Sequence, residues 1–132
     1  MKRRVVVVLL VAFAIWPALH FALVTRYDAN PWKLAGWAMY ARPHFPSRLA
    51  LRLVEDGEER PLLELDAREQ ALAAEFLERR YSVGRLARPD DLVRTLLARH
   101  PADALVVEVR TPFFHLPSAT IRRRVEQETF PR

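Results

Sequence analysis

The sequence predicts a mixed α+β protein, with one N-terminal transmembrane helix followed by a small ββααββ domain. Three observations predict this class: an uncharged apolar run near the N-terminus, apolar residues at every second position in several short segments, and two helix-like segments between them. Strands in this order form an antiparallel sheet with helices on one face. The predicted divisions are a basic tail (1–4), a transmembrane helix (5–24), a juxtamembrane segment (25–47) and a small extracytoplasmic α+β domain (48–132).

The composition favours a folded, basic domain behind the apolar run. Hydrophobic residues make up 51% and charged residues 28% of the 132 residues, which argues against a disordered chain. The net charge is +5, and of the 21 basic residues only Lys2 and Lys33 are lysines, so the basic character is carried by arginine. Cysteine is absent, which excludes disulfides, thiolate metal sites and cysteine nucleophiles.

The apolar run, residues 5–24, contains no Asp, Glu, Lys or Arg, and His20 is its one strongly polar residue. As a helix it would be about 30 Å long, the thickness of a bilayer's hydrocarbon core. Pro17 is tolerated in such a helix. The alternative is a cleaved signal peptide, with residues 2–4 as its basic region and Ala-Phe-Ala at 12–14 as its cleavage site. Cleavage there would leave apolar residues on the mature chain, so we expect a retained helix.

The charges that flank this run predict its orientation. Residues 2–4 are all basic, whereas Arg26, Lys33 and Arg42 are spread over the other flank. By the positive-inside rule, the N-terminus is expected in the cytoplasm and the C-terminal domain outside it, in the periplasm if the source is a bacterium.

Aromatic and proline residues are concentrated in the juxtamembrane segment. Asn30 followed by Pro31 is typical of a helix start, and Pro43 closes the segment, so a short interfacial helix is predicted over Pro31–Arg42. Aromatic residues in this position are typical of a membrane interface, and a glycine permits close contact with a partner helix. The candidate interface or partner-contact residues are Tyr27, Trp32, Gly36, Trp37 and Tyr40. The alternative is that these aromatics pack on the protein's own domain.

The domain opens with two alternating leucine segments, residues 49–53 and 63–65. They predict a β-hairpin, and matching their apolar faces places Leu51 opposite Leu63, which favours a longer or bulged turn over a two-residue Asp56–Gly57 turn. The last two strands are predicted over residues 105–110 and 119–130 with residues 112–117 as the connection.

Two helices are predicted between these strand pairs. Asp66 and Glu69 have the spacing of a capping box, and Gly84 is a C-terminal stop for that helix. The second helix is predicted to begin near Pro89 and to end at Pro101.

No catalytic, cofactor or metal motif is recognised. The histidines lack the spacing of a helical metal pair, no serine lies in a nucleophile elbow, and three glycines form no phosphate loop. Arg122 and Arg124 share one face of the last strand, and with Arg110 they are candidate anion-binding residues. The alternative is a solvated, charged edge strand.

These observations lead to two main functional hypotheses, beside a third alternative, an enzyme that uses Asp, Glu or His in an unrecognised site. The first is a membrane-anchored, non-enzymatic interaction domain that serves as an accessory subunit or assembly factor of another integral membrane protein. The second is an extracytoplasmic module that binds anionic lipid or polymer through its arginine-rich strand. Both assume the lipid bilayer as a partner, and neither requires a cofactor or nucleic acid.

Overall fold

The computed structural model describes residues 2–30 and 45–132 of the chain. Their order is α1 (Lys2–Tyr27), β1 (Arg48–Glu55), β2 (Glu58–Pro61), α2 (Ala67–Val83), a 3₁₀ turn (Gly84–Leu86), α3 (Asp90–Arg99), β3 (Ala104–His115), a 3₁₀ turn (Leu116–Ser118) and β4 (Thr120–Pro131). The protein is therefore mixed α+β, with an N-terminal apolar helix, further helices and a four-stranded antiparallel sheet, as predicted.

The N-terminal helix is long and apolar enough to cross a membrane. Its segment Arg4–Tyr27 is 24 residues long with a mean hydropathy of 2.4, and only 6% of its apolar window is buried within the protein. Pro17 lies inside α1 without ending it. The helix ends at Tyr27 because Asp28 has a left-handed φ of 59°, while its N–H donates to the Val24 carbonyl oxygen at 3.1 Å.

The sheet has the strand order β2-β1-β3-β4, and all neighbours are antiparallel. β3 and β4 form a long hairpin, paired from Ala104↔Pro131 to His115↔Thr120. Paired residues share a face of the sheet, so alternate positions of each strand form two distinct surfaces. We call the surface that contains Leu51 and Val107 the helical face and the opposite surface the outer face.

The core lies between the helical face and helices α2 and α3. Leu96 of α3 and Leu105 of β3 are fully buried, and Phe76 of α2 is 2% exposed. The remaining members of this core are Leu51, Leu53, Ala73, Ala87, Leu92, Val93, Ala102, Val107 and Val109. The predicted capping box of α2 is confirmed, since Asp66 accepts from the Glu69 backbone and the Glu69 side chain accepts from the Asp66 backbone.

The predicted long turn between β1 and β2 is wrong. Glu55 pairs with Glu58 and Leu53 with Arg60, which leaves a two-residue turn, Asp56–Gly57, with φ of 51° and 81°. A turn with two positive φ angles matches the twist of the adjoining strands, and this preference determines the register. Leucine matching does not apply, because Leu63 follows β2 and is 85% exposed.

The predicted connection over residues 112–117 is also wrong in its first part, because β3 continues to His115. Pro112 is therefore inside a strand, paired with Arg123 of β4. The pairing of β3 with β1 ends at Arg110. Beyond that point β3 has no described strand on its β1 side, so the missing N–H of proline breaks no ladder there.

Candidate functional site

Most of the predicted juxtamembrane contact residues lie outside the described residues. These are Trp32, Gly36, Trp37 and Tyr40, together with the predicted helix Pro31–Arg42. Tyr27 is described, and it is the exposed last residue of α1. The structure thus locates one of the five predicted residues, at the junction of the apolar helix and the domain.

The residues that follow α1 are docked against the domain. Ala29 is 2% and Asn30 is 1% exposed, and the Asn30 N–H donates to the Ser82 carbonyl oxygen at 3.1 Å. The Asp28 carboxylate accepts a 2.8 Å hydrogen bond from Arg124 of β4. We call this contact region, Asp28–Asn30 with Ser82, Gly84 and Arg124, the joint. Two buried residues and an ion pair between positions distant in the sequence fix the joint more firmly than a solvated linker would be fixed.

The joint requires glycine at position 84. Gly84 has φ of +61°, and a Cβ added to it would lie 2.1 Å from the Tyr27 carbonyl oxygen and 2.5 Å from the Asp28 carbonyl carbon and oxygen. No side chain fits at these distances, and the backbone conformation itself favours glycine. The sequence predicted Gly84 only as a helix stop. The close approach of α1 was missed, because it joins residues more than fifty positions apart.

The three predicted anion-binding arginines are not brought together on one surface. Arg122 pairs with Phe113 and Arg124 with Thr111, which places both on the helical face, whereas Arg110 pairs with Val125 on the outer face. Arg124 also lies over the Phe113 ring, 5.5 Å from its centroid. Arg122 and Arg124 therefore remain neighbours beside the joint, and Arg110 belongs to a different group of residues.

That group is a chain of ion pairs on the outer face. Arg52 contacts Glu59 and Glu108, each at 3.0 Å, and Arg110 donates to the other oxygen of Glu108. Glu108 is buried. The Arg110 hydrogen bond is the main cause that holds the pKa of Glu108 below its usual range, and it outweighs the raising effect of burial. The arrangement satisfies a buried carboxylate and uses the Nε donor of Arg110 within the protein.

An open groove of about 500 Å³ lies between the helices and β4. Its lining includes the apolar side chains of Phe76 and Val109. At its rim, Glu126 forms ion pairs with both Arg80 and Arg85. Burial raises the pKa of Glu126, but the Arg85 hydrogen bond and the charges of both arginines outweigh it, and the pKa lies below its usual range. The charged groups of the rim are thus paired with each other.

A second buried carboxylate connects the two domain helices. Glu69 is 1% exposed, and its Oε1 lies 3.3 Å from His100 Nε2 and 3.8 Å from Arg99. Arg99 also contacts Asp66, the N-cap of α2. Since Glu69 completes the capping box, this cluster serves to hold the start of α2 against the end of α3.

Within residues 2–30 and 45–132, no group of three or more His, Cys, Asp or Glu residues could hold a metal ion. His20 of α1 is buried, with its ring 6.0 Å from that of Trp16. No family model matches the chain, and no curated protein or solved structure is significantly similar to it.

Proposed function

We propose that this protein is a membrane-anchored, non-enzymatic interaction protein whose domain is held in one orientation at the membrane surface for contact with another integral membrane protein. In this proposal α1 spans the bilayer with its N-terminus in the cytoplasm, and the domain lies outside the cytoplasm. An accessory subunit or an assembly factor would have this design. The observation that carries the proposal is the joint.

The joint supports a fixed orientation over a free tether. A domain that acts at a distance needs only a flexible linker, and such linkers are solvated. Here Ala29 and Asn30 are buried just after α1, and any side chain at position 84 would clash with the end of α1. A rotation of the domain about the helix would break the Asn30 hydrogen bond and the Asp28–Arg124 ion pair. The same domain surface therefore always faces the plane of the bilayer, which suits a partner in that plane.

The surface of α1 supports a lipid environment for this helix. Each exposed apolar Å² costs roughly 25 cal/mol in water, so a helix exposed in this way is stabilised by transfer to lipid. The exposed large hydrophobic residues of α1 are Val5, Val6, Val7, Val8, Leu9, Leu10, Val11, Phe13, Ile15, Leu19 and Phe21.

The first test is extraction of native membranes with alkaline carbonate. We expect the full chain to remain in the membrane pellet at the mass of the uncleaved sequence. Release into the supernatant, or an N-terminus at residue 15, would contradict the membrane anchor.

The second test concerns the joint and uses a matched pair of glycine variants in a chain that carries a photo-crosslinking amino acid at Tyr27. We expect a discrete crosslinked protein partner, lost in Gly84→Ala and retained in Gly57→Ala. Both glycines have positive φ, so both alanine variants introduce backbone strain. An added Cβ at Gly57 meets nothing within 4 Å, so only Gly84→Ala also introduces a steric clash. Crosslinks to lipid alone, or equal crosslinking in both variants, would contradict a partner held through the joint.

A second candidate function is the binding of anionic lipid or polymer by β4. The observation that favours it is the position of Arg122 and Arg124 beside the joint, where the apolar helix ends. The matched pair is Arg122→Gln and Arg123→Gln, since Arg123 pairs with Pro112 and lies on the outer face. Binding of the full chain in nanodiscs to soluble polyphosphate should fall steeply with salt and should weaken only in Arg122→Gln. An equal loss in both variants, or no salt dependence, would rule this function out.

A further inference from the structure

Among the residues that the structure describes, the last strand of the sheet has one unpaired edge. β4 lies at the end of the strand order and pairs with β3 along one side, and no described strand lies along its other side. It is 12 residues long, and most of its side chains are exposed, including Val125 at 53% and Ile121 at 65%. A long, exposed edge strand is a template for pairing with another strand.

The charges of β4 form a pattern that is complementary to itself. Arg122 and Arg124 precede Val125, and Glu126 and Glu128 follow it at the mirror-image positions. All four lie on the helical face, because their partners in β3 are at alternate positions of that face. If a copy of the strand is turned end for end about Val125, each arginine is placed opposite a glutamate.

We propose that β4 pairs antiparallel with β4 of a second copy of this chain, with a two-fold axis through Val125. Arg122 then lies opposite Glu128 of the other copy and Arg124 opposite Glu126, and each pair occurs twice because the interface is isologous. The two sheets join into one of eight strands. An axis perpendicular to the sheet keeps opposed residues on one face, so the helices of both copies lie on the same side.

Neighbouring registers are disfavoured by charge. An axis through Arg124 places that arginine against itself, and an axis through Glu126 places two carboxylates together. Parallel pairing in register places every charge against its like. Directly opposed like charges destabilise a sheet, and opposite charges stabilise it, so the centre at Val125 is selected.

Cysteine crosslinking of the full chain in native membranes tests the register directly, since the natural sequence contains no cysteine. At the two-fold axis, the Cα atoms of Val125 would be about 4.5–5.5 Å apart, within the range of a disulfide. Val125→Cys should therefore give a disulfide-linked homodimer on mild oxidation. Thr129→Cys should not, because the two copies of residue 129 would be roughly 27 Å apart.

The same geometry predicts a crosslink between two different variants. Ile121 of one copy lies opposite Thr129 of the other, so co-expressed Ile121→Cys and Thr129→Cys chains should form a mixed disulfide, and neither should crosslink alone. A Val125→Cys chain that forms no more homodimer than Thr129→Cys, or that crosslinks to another protein in place of itself, overturns the proposal.

Charge reversal tests the energetic basis in mild detergent. We choose Arg122 and Glu128 because Arg124 and Glu126 also hold Asp28 and the groove rim, whereas the contact of Glu128 with Arg88 is a 3.5 Å surface ion pair between two exposed side chains. Arg122→Glu creates two like-charge pairs per dimer and should weaken dimerisation about tenfold in sedimentation. Arg122→Glu with Glu128→Arg in the same chain should restore it. A double variant as weak as the single one, or a wild-type chain that is monomeric at all concentrations, overturns the proposal.

Discussion

The two faces of the sheet are built from the same strands, but they are stabilised in different ways. On β1 and the first half of β3 the helical face is apolar and is covered by α2 and α3, with Leu105 of the sheet and Leu96 of α3 fully buried in between. The outer face contains the ion-pair chain of Arg52, Glu108 and Arg110, and no described helix covers it. Along β3, period-two alternation places Leu105, Val107 and Val109 on the helical face, and Glu108 and Arg110 on the outer face. From this difference we expect the burial of apolar area, and not the number of polar contacts, to determine which substitutions unfold the domain.

The largest effect is expected for truncation in the covered face. Leu96→Ala removes a fully buried side chain and leaves a cavity between α3 and the sheet, which should lower the free energy of unfolding by about 2–5 kcal/mol. Denaturant titration of the full chain in detergent, followed by circular dichroism, measures the change. Leu97→Ala, at the next position and only partly buried, is the matched control. Equal losses for both would mean that α3 does not pack as described.

A smaller effect with a distinctive pH dependence is expected on the outer face. The lowered pKa of Glu108 means that its ionised form is stabilised by folding, so its contribution is present at neutral pH and is lost as the pH falls below about 4.3, the ordinary glutamate value. Glu108→Gln should therefore melt below the wild type at pH 7, and the gap should narrow toward pH 3. Glu126, which also has a lowered pKa, is common to both proteins and cancels. A gap that is independent of pH would show that charge is not the source of the stabilisation.

The sequence predicted the elements of the domain where the signal is local. The capping box of Asp66 and Glu69, the stop at Gly84 and the alternation of Leu51 and Leu53 each involve residues that are close along the chain, and local chemistry determines them. The class and the apolar helix follow from the same kind of pattern.

The remaining features depend on contacts between distant positions. The local periodicity of the sequence predicts neither the approach of α1 to Gly84 nor the pairing of Asp28 with Arg124. The opposite faces of Arg110 and Arg122 follow from the register of β3 with β4, which the sequence does not reveal. The extension of β3 through Pro112 depends on where the pairing of β3 with β1 ends, which is also a long-range feature. For the anion-binding hypothesis, the sequence therefore predicted that Arg122 and Arg124 share a face. It did not predict that Arg110 lies on the opposite face.

The smallest effect on stability is expected at Leu63, which the sequence predicted to face the core and which the structure places at the surface. Leu63 was expected opposite Leu51, but it follows β2 and is 85% exposed, whereas Leu51 is in the core. Leu63→Ala should change the free energy of unfolding by less than about 0.5 kcal/mol, because little apolar area is lost and no cavity forms. Leu51→Ala is the matched control and should cost about 2–5 kcal/mol. If Leu63→Ala is as damaging as Leu51→Ala, then leucine matching determines the hairpin register, and the two-residue turn at Asp56–Gly57 is incorrect.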